Sequence, residues 1–286
     1  MAHQPFGQTL ERVRRLNEYL KPELGTPGDG LWLTAADLAP GAAPLETLIA
    51  TTQARLRTTA PTITASAVLQ SYQWPLISTA MACYLVDQRV PDLSVARVRT
   101  HYTAEHEADA LALGSVRFVV LPSDPAADCP DATVVADLDA LRTTVRTSIE
   151  AHLGTVIESL CARLGCKPRG LWLNVADSCA STLVWLMQEH APATTPAQLE
   201  AEIAALIRIP ASPLYSRQIG LIELAYHERR QVFLDRATCC FWYKTEGGDY
   251  CSTCPKRTPN DRRERLLTYL AEEHLKQAEP VAQEAA

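Results

Sequence analysis

The chain has 286 residues, 47% of them hydrophobic, and a formal net charge of -6. That length and apolar content fill an ordinary core without disulfides, and the acidic balance gives no reason to expect nucleic acid as a partner. The opening residues lack the apolar run of a secretory signal, and the longest nearly uncharged stretch, WPLISTAMACYLV ending at Val86, is too short and polar to span a bilayer, so a cytoplasmic protein with reduced thiols and no transmembrane segment is expected.

Residues 8–20 place Leu10, Val13, Leu16 and Leu20 at helical spacing, and Pro22 ends that helix. Leu45, Leu48, Ile49 and Leu56 mark a second helical face. From about Thr64 to Val86 a long apolar helix is expected, broken or kinked at Pro75, whose ring clashes with the preceding turn. SVRFVVLP, short, β-branched and stopped by proline, is the best strand. Residues 137–165 read as one amphipathic helix with Asp137 as N-cap and Gly165 as its stop. The string GLWL occurs at 30–33 and again at 170–173, each time followed by an Ala-Asp pair, which leaves open a diverged duplication or a coincidence.

Thr195 before Pro196 starts a further helix. Beyond the connector IPASPLYS, residues 220–245 are rich in aromatic and β-branched types and suit strands or a hairpin. A closing helix follows, with Asn260 as its cap and Leu266, Leu267, Leu270 and Leu275 facing inward, and residues 278–286 are expected to fray. Few strands alternate with helices, so the expected class is α+β: a helix-rich body with a small sheet over residues 1–210, and a C-terminal cysteine-ligated module with its closing helix over 211–286. A prominent parallel sheet is not expected.

Of nine cysteines, Cys83, Cys129, Cys161, Cys166 and Cys179 stand singly and read as small buried residues. The other four, Cys239, Cys240, Cys251 and Cys254, share the stretch RATCCFWYKTEGGDYCSTCPKR. In a reducing compartment four thiols so close together read as thiolate ligands. Structural zinc draws on spaced pairs. Cys251 and Cys254 fit that pattern and the adjacent Cys239 and Cys240 do not, because neighbouring side chains diverge. A two-iron cluster accepts ligands from different directions, so the spacing leans toward [2Fe-2S] with zinc as the alternative.

Residues 236–265 carry a net charge of +3. Arg236 and Lys244 are the nearest cations to favour the reduced form of an anionic cluster. Lys256, Arg257, Arg262, Arg263 and Arg265 read mainly as solvating a loop and a helix face, with docking of an acidic electron donor as the sharper reading. Trp242 and Tyr243 in the loop, and Tyr72, Trp74, Trp172 and Asn174 elsewhere, are candidate substrate contacts, set against ordinary packing for each.

An adjacent pair, ten residues, then a pair with two between, flanked by Arg236 and Pro255, resembles the C-terminal [2Fe-2S] motif of the FhuF family of ferric-siderophore reductases. The stretch LWLNVADS is a looser echo of the same family. The resemblance implies that Cys239, Cys240, Cys251 and Cys254 bind a [2Fe-2S] cluster. It further implies one-electron reduction of iron(III) in a hydroxamate-type siderophore, with a ferredoxin or flavin reductase as donor and iron(II) released in the cytosol. The alternatives are a zinc-stabilised siderophore-handling protein, and a [2Fe-2S] redox sensor or electron carrier.

Overall fold

The computed structural model describes residues 4–283. Helix α1 (Pro5–Leu16) opens with proline in its first turn, where the missing N–H costs nothing, and the Gln4 side chain accepts the Gly7 N–H at 2.7 Å. Strands β1 (Pro22–Leu24) and β2 (Leu31–Leu33) follow, then a 3₁₀ turn at Ala35–Leu38 boxed by Thr34 and Asp37, and helix α2 (Ala43–Leu56). Of the end expected to fray, residues 278–283 continue the closing helix, and 284–286 lie outside the described residues.

Helix α3 (Pro61–Asp87) is apolar on nearly every side, and such a helix belongs in the middle of a domain. It packs against α1, α2 and the later helices and strands. The break expected at Pro75 is not there: the helix continues through the proline, and Ser78 Oγ donates to the Trp74 carbonyl at 2.7 Å. Burial by neighbours on all sides outweighs the one lost backbone bond.

Strands β3 (Val90–Pro91), β4 (Val98–Tyr102), β5 (Ala108–Leu113), β6 (Phe118–Val120) and β7 (Ala132–Val134) come next. They build one sheet of order β1-β5-β4-β2 and another of order β3-β6-β7. Parallel pairing is confined to the three-residue matches of β1 with β5 and β6 with β7. Helix α4 (Leu138–Leu164) has the expected ends: Asp137 accepts the Ala140 N–H at 2.8 Å, and Gly165 turns left-handed at φ 67.

Helices α5 (Pro168–His190) and α6 (Pro196–Ile207) complete the body, the latter opened by a capping box of Thr195 and Gln198. The first GLWL copy is a strand leading into a 3₁₀ turn, whereas the second lies inside α5. The two copies therefore do not share a structure. The whole is helix-rich α+β with small sheets, as the pattern of elements predicts.

The hairpin of β8 (Gly220–Tyr226) and β9 (Arg229–Asp235) is the platform for the C-terminal cysteines. Leu234 joins the main core, while Leu224 packs with Leu266 and Leu270 of helix α7 (Pro259–Gln283) in a second small cluster. The hairpin is thus held between α5 and α7. Gln188 of α5 completes the clamp, its amide giving to the Val232 carbonyl at 2.9 Å and taking the Val232 N–H at 2.7 Å. That satisfies backbone groups on an edge strand that would otherwise be free to pair elsewhere.

Two expectations for α7 are corrected. Its cap is Thr258, whose hydroxyl accepts the Asp261 N–H at 3.2 Å, because Pro259 takes the first helical position and leaves Asn260 inside the turn. Leu275 is 62% exposed, while Leu266 and Leu270 are buried.

Candidate four-cysteine centre

The chain leaves β9 at Asp235 and turns immediately into the cysteine loop, where a carboxylate from another helix receives it. Asp177 of α5, buried, accepts the N–H groups of Ala237 at 2.8 Å and Thr238 at 2.9 Å, and lies 3.4 Å from Arg236 Nε. Burial pushes the Asp177 carboxyl up, against the Arg236 guanidinium and the two N–H donors. Arg236 is itself disfavoured as a cation by burial, but Asp177, Cys251 and Cys240 outweigh that. Its Nη1 lies 3.9 Å from Cys251 Sγ.

The four thiols come together as two pairs. Cys239 and Cys254, both buried, place their Sγ atoms 3.8 Å apart. Cys240 and Cys251, both part-exposed, are hydrogen-bonded to each other. The Cys251 thiol, ahead of the opposing effect of burial, holds Cys240 down to about 5, and the same shared proton pushes Cys251 up. Burial raises Cys239, whose Sγ accepts the Phe241 N–H at 3.3 Å. The divergence of adjacent side chains is therefore used: Cys239 points inward to one partner and Cys240 outward to another.

The loop between the pairs is coiled tightly. Phe241 takes a left-handed φ of 63, a 3₁₀ turn runs over Trp242–Lys244, and the buried Thr245 gives its hydroxyl to the Trp242 carbonyl at 2.7 Å. Gly248 lies so close to that carbonyl that a Cβ there would collide with it. Arg257, expected to solvate the surface, instead pins the second cysteine turn: Nε donates to the Cys251 carbonyl at 3.0 Å, and Nη1 pairs with Asp261 at 2.7 Å. Arg262 likewise turns inward to Asp235 at the end of β9, while Arg263 and Arg265 are exposed as expected.

The other sequence-predicted residues divide. Trp74, 37% exposed, and Trp242, 48% exposed, line one cavity of about 450 Å³ together with Cys240, Gln70 and Arg55. Trp74 also lines a neighbouring cavity of about 510 Å³ with Asn174, Asp177 and Arg236. There the buried Asn174 takes a hydrogen bond from Gln73 and gives one to Ser66. Tyr243 stacks on Tyr250 at 4.4 Å, and Lys244 Nζ lies 5.9 Å over the Phe241 and Tyr243 rings.

Tyr72 and Trp172 lie elsewhere. Tyr72 is fully buried and hydrogen-bonded to His152 at 2.7 Å. Trp172 packs its ring over Gly154 of α4. Asp177 and Arg257 are the residues that sequence reasoning missed. Asp177 sits in the LWLNVADS stretch one helical turn after Asn174, and that helical face is the signal that leads to it.

The donor set can be tested against a metal group by distance. Two thiolates on one tetrahedral ion at about 2.3 Å each stand roughly 3.8 Å apart, which is the Cys239–Cys254 spacing. Among the described residues no three His, Cys, Asp or Glu side chains converge closely enough to hold one ion. Two pairs of soft donors suit a two-iron body better than a single zinc.

Comparison with known proteins agrees over this segment. Residues 236–256 match the model of the FhuF 2Fe-2S C-terminal domain. The resemblance carried by Arg236, Cys239, Cys240, Cys251, Cys254 and Pro255 is borne out, and the cofactor of the segment is a [2Fe-2S] cluster. No curated protein matches the chain. Among the described residues no helix is long and apolar enough to cross a membrane.

Proposed function

We propose that the protein is a cytoplasmic ferric-siderophore reductase. In this reading Cys239 with Cys254, and Cys240 with Cys251, hold the two irons of the [2Fe-2S] cluster. The observation that carries it is the outward pair: part-exposed Cys240 lies on the wall of an open cavity flanked by Trp74 and Trp242, inside the segment matched to the FhuF domain. When bound, such a cluster supplies single electrons, and iron(III) in a cage of hard oxygen donors is held far less tightly once it is reduced.

The chain's own residues then have distinct tasks. Asp177 and Arg257 fix the two cysteine turns, Arg236 offsets the negative charge beside Cys251, and the buried pair Cys239 and Cys254 stays away from water. Trp74 and Trp242 offer flat apolar faces to a ferric hydroxamate seated next to Cys240. The donor is a ferredoxin or a flavin reductase.

The experiment is stopped-flow reoxidation of the dithionite-reduced, cluster-bearing protein. Ferric hydroxamate siderophores are expected to reoxidise it faster than ferric citrate does at the same iron concentration. Equal rates would replace the reductase with a general electron carrier or sensor.

A further inference from the structure

Five cysteines lie outside the four-cysteine centre, and they are not equivalent. Cys83 and Cys179 are buried, as expected of small core residues, but Cys129, Cys161 and Cys166 are only partly so. Cys161, in the last turn of α4, and Cys166, just past the Gly165 stop, bring their Sγ atoms to 3.5 Å. The left-handed turn at Gly165, whose N–H returns to the Cys161 carbonyl at 2.9 Å, folds the chain back far enough for this contact.

The surroundings distinguish the two thiols. Cys161 belongs to a regular helix, and burial together with its neighbour pushes its thiol up to about 12. Cys166 lies in the non-helical link before α5, next to the exposed Lys167. Cys166 and Lys167 also line a small cavity of about 50 Å³ together with Phe241 of the cysteine loop.

We propose that Cys161 and Cys166 form a dithiol site that exchanges with low-molecular-weight disulfides and closes to an intramolecular disulfide beside the four-cysteine loop. The sulfurs must approach from 3.5 Å to about 2.05 Å, a movement that side-chain rotation and the irregular link at Cys166 supply. The Cys166 thiolate attacks one sulfur of the small disulfide, whose S–S bond breaks to release one thiol. Cys161, losing its proton, then attacks the Cys166 sulfur of the mixed disulfide and expels the second thiol. The protein loses two protons and two electrons, and the small disulfide takes them up to become two thiols. Nothing in this exchange draws on the cluster or on the reductase reading.

The test equilibrates anaerobic, cluster-bearing protein with graded mixtures of glutathione and glutathione disulfide, followed by acid quench, alkylation and peptide mapping. The expected product is a 161–166 bridge that titrates as one two-electron couple, its equilibrium constant changing tenfold per about 30 mV. The Cys161→Ser variant should stop at a glutathione adduct on Cys166, and Cys166→Ser should give neither adduct nor bridge. The proposal is overturned if both thiols still alkylate fully in excess glutathione disulfide. A lasting wild-type glutathione adduct, or a bridge from either thiol to any other cysteine, overturns it as well.

Discussion

The buried Asp177 on α5 and the half-buried Arg236 at the exit of β9 are paired, Oδ2 to Nε at 3.4 Å, and the same carboxylate holds the N–H groups of Ala237 and Thr238. One side chain thus fixes the backbone directly ahead of Cys239. Asp177→Ala leaves two part-buried N–H donors without their acceptor and takes the carboxylate away from Arg236, at a cost of about 1–3 kcal/mol. Chemical denaturation of the variant should show that loss together with reduced iron content, and Asp177→Asn, which keeps an acceptor, should lose less. A cost under about 1 kcal/mol for the alanine would remove the clamp from the account.

Arg236 has a second consequence because its Nη1 lies 3.9 Å from Cys251 Sγ. A positive charge there favours the more anionic, reduced form of the cluster. Arg236→Gln is expected to lower the midpoint potential by on the order of tens of millivolts, the screened value of one charge at this range. Spectroelectrochemical titration reads it directly, and an unchanged or raised potential would refute the tuning role.

Gly247 and Gly248 are adjacent but demand glycine for different reasons. Gly247 is left-handed at φ 72 in open space, so alanine there meets only backbone strain of about 1 kcal/mol. A Cβ on Gly248 strikes the Trp242 carbonyl, which the fold cannot move without releasing Thr245. Gly248→Ala should cost more than about 3 kcal/mol and deplete the iron, while Gly247→Ala keeps both nearly intact. Equal effects at the two positions would contradict this loop geometry.

The parts of this site legible in the sequence are those decided by neighbours along the chain. The Asp137 cap, the Gly165 stop and the hairpin are local signals that the structure keeps, whereas the Cys-Cys and Cys-x-x-Cys pairs are split, each cysteine meeting one from the other pair. Asp177 was not legible as a site residue because its partners lie about sixty positions away. Arg257 was hidden differently, since a basic residue in a basic segment looks like a solvated one until its target carbonyl at Cys251 is placed. At Pro75 the local rule predicts a break, and burial around α3 outweighs it.

His152 sets an acid limit on stability. Its Nδ1–H donates to the Leu93 carbonyl at 2.7 Å, which can only accept, so Nε2 takes the Tyr72 hydroxyl proton at 2.7 Å. Burial, opposed in part by the Leu93 carbonyl, pushes the imidazole down to about 4. Unfolded histidine binds its proton near pH 6.5, so the unfolded chain holds more protons between about pH 6.5 and 4. Stability is therefore full above pH 6.5 and falls as pH drops toward 4, by about 3 kcal/mol at most. Urea denaturation across that window should show the slope in the wild type and a flatter one in His152→Gln, and parallel slopes would assign the acid sensitivity to other groups.

Trp74 and Trp242 come from α3 and from the cysteine loop, yet they share one cavity with Cys240. Neither ring is spent on filling the core, since both are more than a third exposed. In the proposed reductase a bulky ferric complex would bring its metal near Cys240, between the two rings that line the same cavity. On that proposal, truncating either ring removes substrate contact without touching a cysteine. Trp74→Ala and Trp242→Ala are each expected to lower kcat/KM for a ferric hydroxamate by roughly tenfold, about 1.4 kcal/mol, with the visible spectrum and iron content unchanged. Trp172→Phe serves as the comparison, because that ring packs over Gly154 outside the cavity and should leave kcat/KM where it is. A loss in Trp172→Phe that matches the other two would show that the rates follow general packing rather than contact in this cleft.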